Sequence, residues 1–276
     1  MKTLVKSAAV VLQKEGPVSL LTSASSFTQQ ALTSYIISKQ PRLYPPFLQL
    51  RQHLSRHKFT DADPLKIIFI DPTNIVYQSP PGRSLQRGVV RDGDWDQSSR
   101  KFLQNRVPQA LVSHFEDDVP WESTGLYDEF REKTNQGNAW GFSSLSAFEE
   151  RCQEIDDLYY SIQENGYYSQ AELLNAKSEE TRKRNNQLTP THLNEVTIDI
   201  GRDGQLLWRN FGQHRLTIAK ILELDKIPVL VCTRHKEWQQ VRDKIRFCDD
   251  LNELEPEFKR YLDHPDIEQI VLSNEP

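Results

Sequence analysis

Val196-Thr197-Ile198-Asp199-Ile200, Gly201-Arg202-Asp203-Gly204, Gln205-Leu206-Leu207-Trp208-Arg209, and then Phe211-Gly212-Gln213-His214-Arg215 form the stretch on which the fold turns. Val196, Ile198 and Ile200 alternate with polar residues, which is the period of a strand, and the glycine-flanked tetrapeptide after them predicts a hairpin return through Gln205 to Arg209. Leu216, Ala219 and Leu222 then mark one face of a helix ending near Glu223. Pro228-Val229-Leu230-Val231-Cys232 is a continuous apolar run, hence a central strand, and a further helix follows from about Lys236 to Arg246.

Upstream, Ile67-Ile68-Phe69-Ile70 closed by Asp71-Pro72 reads as a buried strand ending in a turn. Residues 78–100 read as a loop rich in Pro, Gly and charge, and residues 102–148 as short helices with Trp121 and Trp140 available for packing. Phe148, Cys152, Ile155, Leu158, Tyr159 and Ile162 recur at helical spacing, with Gly166 placed to end the helix. Ser169 to Gln187 reads as a charged helix or loop, most basic around Lys183 and Arg184.

Strand, sharp turn, Gly-x-His-Arg, helix is an order with a physical use. Gly212 lets the backbone turn without a Cβ, so the amides after it open into one space at a helix N-terminus, where the dipole and the orphan N–H groups favour an anion. Arg215 would add a planar fork of donors and His214 one more. The same residues also fit a plain helix cap whose arginine pairs with a nearby carboxylate.

Ser161-Ile162-Gln163-Glu164-Asn165-Gly166, the hairpin, Gly212-Gln213-His214-Arg215-Leu216 and Ile227-Pro228-Val229 together resemble the ParB/sulfiredoxin-like domain, with Ile70-Asp71-Pro72 and Ile75 similar to its opening strand. The resemblance covers residues 66–76 and about 152–236. It is closest to uncharacterised, largely archaeal ParB-like proteins sharing a basic N-terminus and the D-P-x-x-I, G-D-W-D, V-P-W-E and I-G-R-D-G elements, present here at Asp71, Gly93, Val119 and Ile200. The fold it implies is α/β: a mixed sheet, a helical insertion at about 100–150 inside a domain of residues 62–250, an α-helical N-terminal appendage over 1–61, and an acidic tail or helix over 251–276.

Members of that superfamily differ in chemistry. Sulfiredoxins carry a catalytic cysteine directly before the His-Arg pair; Gln213 stands there, so sulfinic-acid reduction is not expected. The chromosome-partitioning members bind CTP and carry a helix-turn-helix domain after this module, whereas few residues follow Arg234 here. The free-serine kinases hold nucleotide phosphates with G-x-H-R, the variant this sequence matches. The resemblance thus implies a nucleotide, ATP, ADP or CTP, with Mg as an accompanying ion in the kinase reading, and Gly212, Gln213, His214 and Arg215 as its contacts. A phosphotransferase acting on a small-molecule hydroxyl would also need a positioned carboxylate. No glutamate stands close after Ile75, near the first strand, so Asp94 and Asp96 are the candidates, with Asp92 beside them and Trp95 available to close over a ligand; the alternative is a solvated acidic turn. Arg234 and His235 either add phosphate contacts or lie at the surface. The rival function is a nucleotide-responsive module, without chemistry, that recruits a protein partner or nucleic acid.

Charge separates the first 60 residues from the rest. They hold eight basic residues against Glu15 alone, net +7, while the remaining 216 hold 26 basic and 38 acidic, net −12. Gly16 to Ser38 is uncharged, but its apolar side chains are diluted by Ser, Thr and Gln29-Gln30, and the run after Lys6 is too short for a cleavable signal. One or two amphipathic helices with basic flanks are expected, suited to peripheral contact with an anionic membrane, to nucleic acid as the weaker rival, or to packing as a hairpin on the main domain. Cys152, Cys232 and Cys248 form neither a disulfide framework nor a zinc motif, and no histidine spacing predicts a metal, which makes a cytoplasmic setting the expectation.

Overall fold

A run such as Ile227 to Cys232, apolar on successive residues, has no polar face to offer water and belongs where both sides are covered. In the computed structural model, which describes residues 31–37, 39–55, 58–80, 87–135, 144–175 and 194–274, that run lies in an interior strand of a mixed six-stranded sheet. The strands are β1 (Ile67–Ile70), β2 (Tyr77–Gln78), β3 (Val89–Arg91), β4 (Val196–Ile200), β5 (Leu206–Trp208) and β6 (Ile227–His235). β4 lies parallel to β6 on one side, with Val196 opposite Val229. Two short strands share the other side end to end: β1 runs antiparallel, Ile67 opposite Leu230, and β3 runs parallel, Val89 opposite Thr233. The hairpin brings β5 back antiparallel to β4, and β2 pairs parallel with β5 at the edge. The mixed α/β class is therefore observed. Residues 78–100 are not all loop, since β3 and a 3-10 turn at Asp94–Asp96 stand within them.

The helices are α1 (Tyr44–Leu54), α2 (Arg106–Phe115), α3 (Gly125–Asn135), α4 (Leu145–Asn165), α5 (Gln170–Asn175), α6 (Gln213–Ile221), α7 (Lys236–Arg246), α8 (Pro256–Lys259) and α9 (Pro265–Asn274). α4 begins where the Ser144 hydroxyl accepts from the Ala147 amide and stops at Gly166, whose amide donates to the Ile162 carbonyl. Ile68, Ile70, Val196, Ile198, Ile200, Val229 and Val231 from the sheet form one core with Leu216 and Ala219 of α6, Trp238 and Ile245 of α7, and Ile267 and Ile270 of α9. A second core joins Leu111, Trp121, Tyr127, Phe130, Phe148, Cys152 and Ile155 to Ile218 of α6, so α2 and α4 pack against the helix that the Gly-x-His-Arg segment opens, with α3 packed on α2.

Of the tail or helix expected over residues 251–276, the described residues carry helices α8 and α9 and are built into the main core. Leu254, Ile267 and Ile270 are buried in the main core, and the carboxylate of Asp266 accepts from Arg234 Nε at 2.8 Å, Arg234 Nη2 at 2.5 Å and Trp238 Nε1 at 2.9 Å. Arg242 reaches the same carboxylate at 3.0 Å and continues to Asp61 at 3.0 Å. Residues 1–30, the region around Lys183 and Arg184, and Trp140 lie outside the described residues, and with them most of the expected N-terminal amphipathic segment. Among the described residues no helix is long and apolar enough to cross a membrane.

Candidate functional site

Gly212 precedes α6 at φ +75°, and a Cβ there would sit 2.7 Å from both Cα and Cγ2 of Val196. Only glycine lets the chain cross the start of β4 so closely and then enter the helix. The first intrahelical bond runs from the Leu216 amide to the Gly212 carbonyl at 2.9 Å. The amides of Gln213, His214 and Arg215 consequently have no acceptor within the helix, and Gly212 has no side chain to cap them. The expected glycine turn at a helix N-terminus is present in the backbone.

The side chains are arranged differently from the expectation. Arg215 is buried, and its fork is already engaged: Nη1 donates to Glu195 at 3.3 Å, Nη2 donates to the Tyr168 carbonyl, and the guanidinium lies 4.3 Å from the centre of the Tyr167 ring. Only Nε of that guanidinium has no partner among the described residues. Burial raises the Glu195 carboxyl above its ordinary range and Arg215 opposes the rise. Arg215 thus ties Tyr167, Tyr168 and Glu195 to α6 rather than presenting two donors to a ligand. A half-buried arginine that the sequence did not single out, Arg151 of α4, also reaches this turn: its Nη2 stands 3.4 Å from His214 Nδ1, and its Nη1 donates to Glu154 at 2.7 Å.

That contact fixes the histidine tautomer. With Arg151 donating, Nδ1 is the acceptor and Nε2 carries the proton. Burial, with Arg151 adding to it, lowers the His214 pKa to about 4, so the ring is neutral at neutral pH. The sign of the pH effect follows: the unfolded chain takes up this proton near pH 6.5, the folded one only near 4, so stability is full above the first value and falls as pH drops towards the second. His264, also held low by burial, acts in the same direction. Replacing His214 with Gln should recover on the order of 2 kcal/mol of the stability lost across that window, read from urea unfolding at a series of pH values. An acid limb identical to the parent's would show that His214 does not carry it.

Asp94 and Asp96 lie elsewhere. The carboxylate of Asp96 is fully buried and accepts from the Arg202 amide at 2.8 Å, Arg202 Nε at 2.9 Å and Arg202 Nη2 at 2.8 Å. Burial opposes its ionisation, and the Arg202 hydrogen bonds more than offset this, holding the pKa at about 2. Asp94 is exposed and accepts from Arg202 Nη2 at 2.8 Å. Asp92 pairs in solvent with Lys236 at 2.9 Å. Trp95 does not stand open over a ligand space; it is buried, with its ring 5.8 Å from that of His235. His235 caps α7, accepting at Nδ1 from the Glu237 amide, and its Nε2 lies 2.9 Å from the Gly93 carbonyl. Neither His235 nor Arg234, which is tied to Asp266, is a surface or phosphate residue.

Asp96 and Arg202 therefore lock the β4–β5 turn, whereas Gly212 meets Val196 at the other end of β4. Four strand steps separate the two ends, about 13 Å at ~3.3 Å per residue. The acidic pair is not brought to the Gly212–Arg215 turn. A further polar group that the sequence reading missed lies within the sheet, where Asp199 accepts from Ser79 Oγ at 2.7 Å and from Arg209 Nη1 at 2.5 Å. Its signal was a carboxylate inside the Val196–Ile200 alternation. It fastens β2, β4 and β5 together. Among the described residues, no group of three or more His, Cys, Asp or Glu is placed to hold a metal ion. No protein-family model, no curated protein and no solved structure matches this chain.

Proposed function

We propose that this chain is a nucleotide-binding protein of the ParB/sulfiredoxin-like type, in which the α6 turn holds the phosphates of ATP, ADP or CTP and binding, rather than phosphoryl transfer, is the activity. One observation carries the reading: three consecutive main-chain amides, at Gln213, His214 and Arg215, have no intrahelical acceptor at the start of a nine-residue helix behind a left-handed glycine, beside the half-buried Arg151. The mixed sheet and the order of the motifs along it support the ParB/sulfiredoxin-like assignment. The phosphotransferase alternative needs a carboxylate near the bound phosphate. Asp94 and Asp96 belong to the far end of β4, and Glu195, on the near end, has its oxygens engaged by Arg215 and by the Gln170 amide. A nucleotide-responsive module that signals to a protein partner is the reading that remains.

Titration calorimetry with ATP, ADP and CTP tests this directly. Arg151→Ala is expected to weaken binding about tenfold, the effect of one charge-assisted contact to phosphate, while leaving the fold intact because Arg151 is only half-buried and its ion-pair partner Glu154 is exposed. Absence of heat with all three nucleotides would remove the proposal. Steady conversion of ATP to ADP in the presence of a small-molecule acceptor would replace it with the kinase reading.

A further inference from the structure

Residues 31–55 carry an apolar stripe that the rest of the described chain leaves in solvent. Tyr44 and Leu48 of α1 are buried with Ile36, and they account for one face of that helix. Leu43, Leu50 and Leu54, spaced seven and four residues apart, fall on another face, and they are 53%, 56% and 71% exposed. Leu32 and Tyr35, in the preceding helical turn, are exposed as well. A stripe of this kind on a lone chain signals a surface that meets something else.

Charge says what that partner is. No aspartate or glutamate occurs between Gly16 and Thr60. Lys39, Arg42 and Lys58 are exposed in the same stretch of chain, and Arg51 of α1 lies 5.6 Å from the centre of the Phe47 ring and 5.2 Å from that of Phe59, which follows the helix. The first carboxylate downstream, Asp61, is engaged by Arg242 and Arg246 and does not neutralise this surface. Cations and exposed leucines in one stretch, with no anion among them, complement a surface that is negative at its face and apolar just beneath it. A nucleic-acid backbone would match the cations but offer the leucines nothing.

We propose that the surface formed by Leu43, Leu50 and Leu54 with Lys39, Arg42 and Lys58 attaches the protein peripherally to a bilayer of anionic lipid, the leucines entering the headgroup and acyl boundary. The experiment is co-sedimentation of the full chain with phosphatidylcholine vesicles, with and without phosphatidylglycerol, at low and physiological salt. Binding should require phosphatidylglycerol. The double variant Leu50→Gln, Leu54→Gln should reduce the bound fraction about tenfold or more, as should Lys39→Glu with Arg42→Glu. All four positions are solvent-exposed, so the variants leave the fold unchanged. No association with anionic vesicles at either salt concentration would overturn the proposal. So would association indifferent to the leucine changes, tighter charge-dependent binding to duplex DNA or RNA that the leucine changes do not affect, or a leucine-dependent dimer in the absence of lipid.

Discussion

Asp266→Asn should lower the unfolding free energy by about 3 to 5 kcal/mol, the cost of breaking a buried ion network by removing one partner. Arg234 and Arg242 are both almost completely buried, and Asp266 answers them together. Burial alone would push this carboxyl up; the two arginines and Trp238 Nε1 hold it well below the ordinary carboxylate range instead. Asparagine keeps the shape but leaves Arg234 without its counter-charge and Arg242 with Asp61 alone. The side chain binds its proton more weakly in the folded state than in the unfolded one. Its contribution is therefore present above about pH 4 and is lost as pH falls below, so the variant should also show a flatter acid limb. Urea unfolding at neutral and acid pH measures both effects. The exposed Asp92–Lys236 pair gives the contrast, since Asp92→Asn should change nothing measurable. A loss below about 1 kcal/mol for Asp266→Asn would mean that the two arginines find water or other partners.

Gly212→Ala should remove nucleotide binding and cost about 2 to 4 kcal/mol of stability. The substitution asks an L-residue to hold a left-handed conformation and places its Cβ 2.7 Å from the Val196 backbone, which cannot move without moving β4 and its pairing with β6. The helix start must shift, and with it the amides of Gln213, His214 and Arg215. Gly125→Ala is the control, because a Cβ there meets nothing within 4 Å. Thermal unfolding reports the first effect and calorimetry the second. A variant that unfolds like the parent and still binds ATP with undiminished affinity would break the link between the turn and the ligand.

What the chain declared openly was local. Ile67–Ile70, Val196–Ile200 and the helix through Phe148, Cys152 and Ile155 carry their period in their own side chains, and they stand where that period puts them. What it concealed depends on partners far away in the sequence. Val89–Arg91 is too short to announce a strand and becomes one only because Thr233–His235 offers it an open edge. Thr233, Arg234 and His235 look like a loop after a hydrophobic run, yet all three are buried, each satisfied by a group that no spacing rule connects to it. The same holds at the candidate site. The glycine turn was legible because it is a backbone requirement written in one residue, whereas the engagement of Arg215 by Glu195 and the removal of Asp96 to Arg202 are decided by tertiary neighbours.

The two strands laid end to end along β6 bear on how the chain assembles during synthesis. Ile67 has to wait for Leu230 and Val89 for Thr233, and at ribosomal speeds of ~5–20 residues per second that delay is on the order of ten seconds or more. β1, β2 and β3 thus emerge as unpaired edges, while the helical layer from Leu111 to Ile155 can collapse on contacts nearer in sequence. Completing the sheet is a long-range event that comes last, with the closure of β6 between its neighbours as the slow step. Truncated chains ending before β6 should accordingly be helical, rich in exposed strand edge, and prone to self-association.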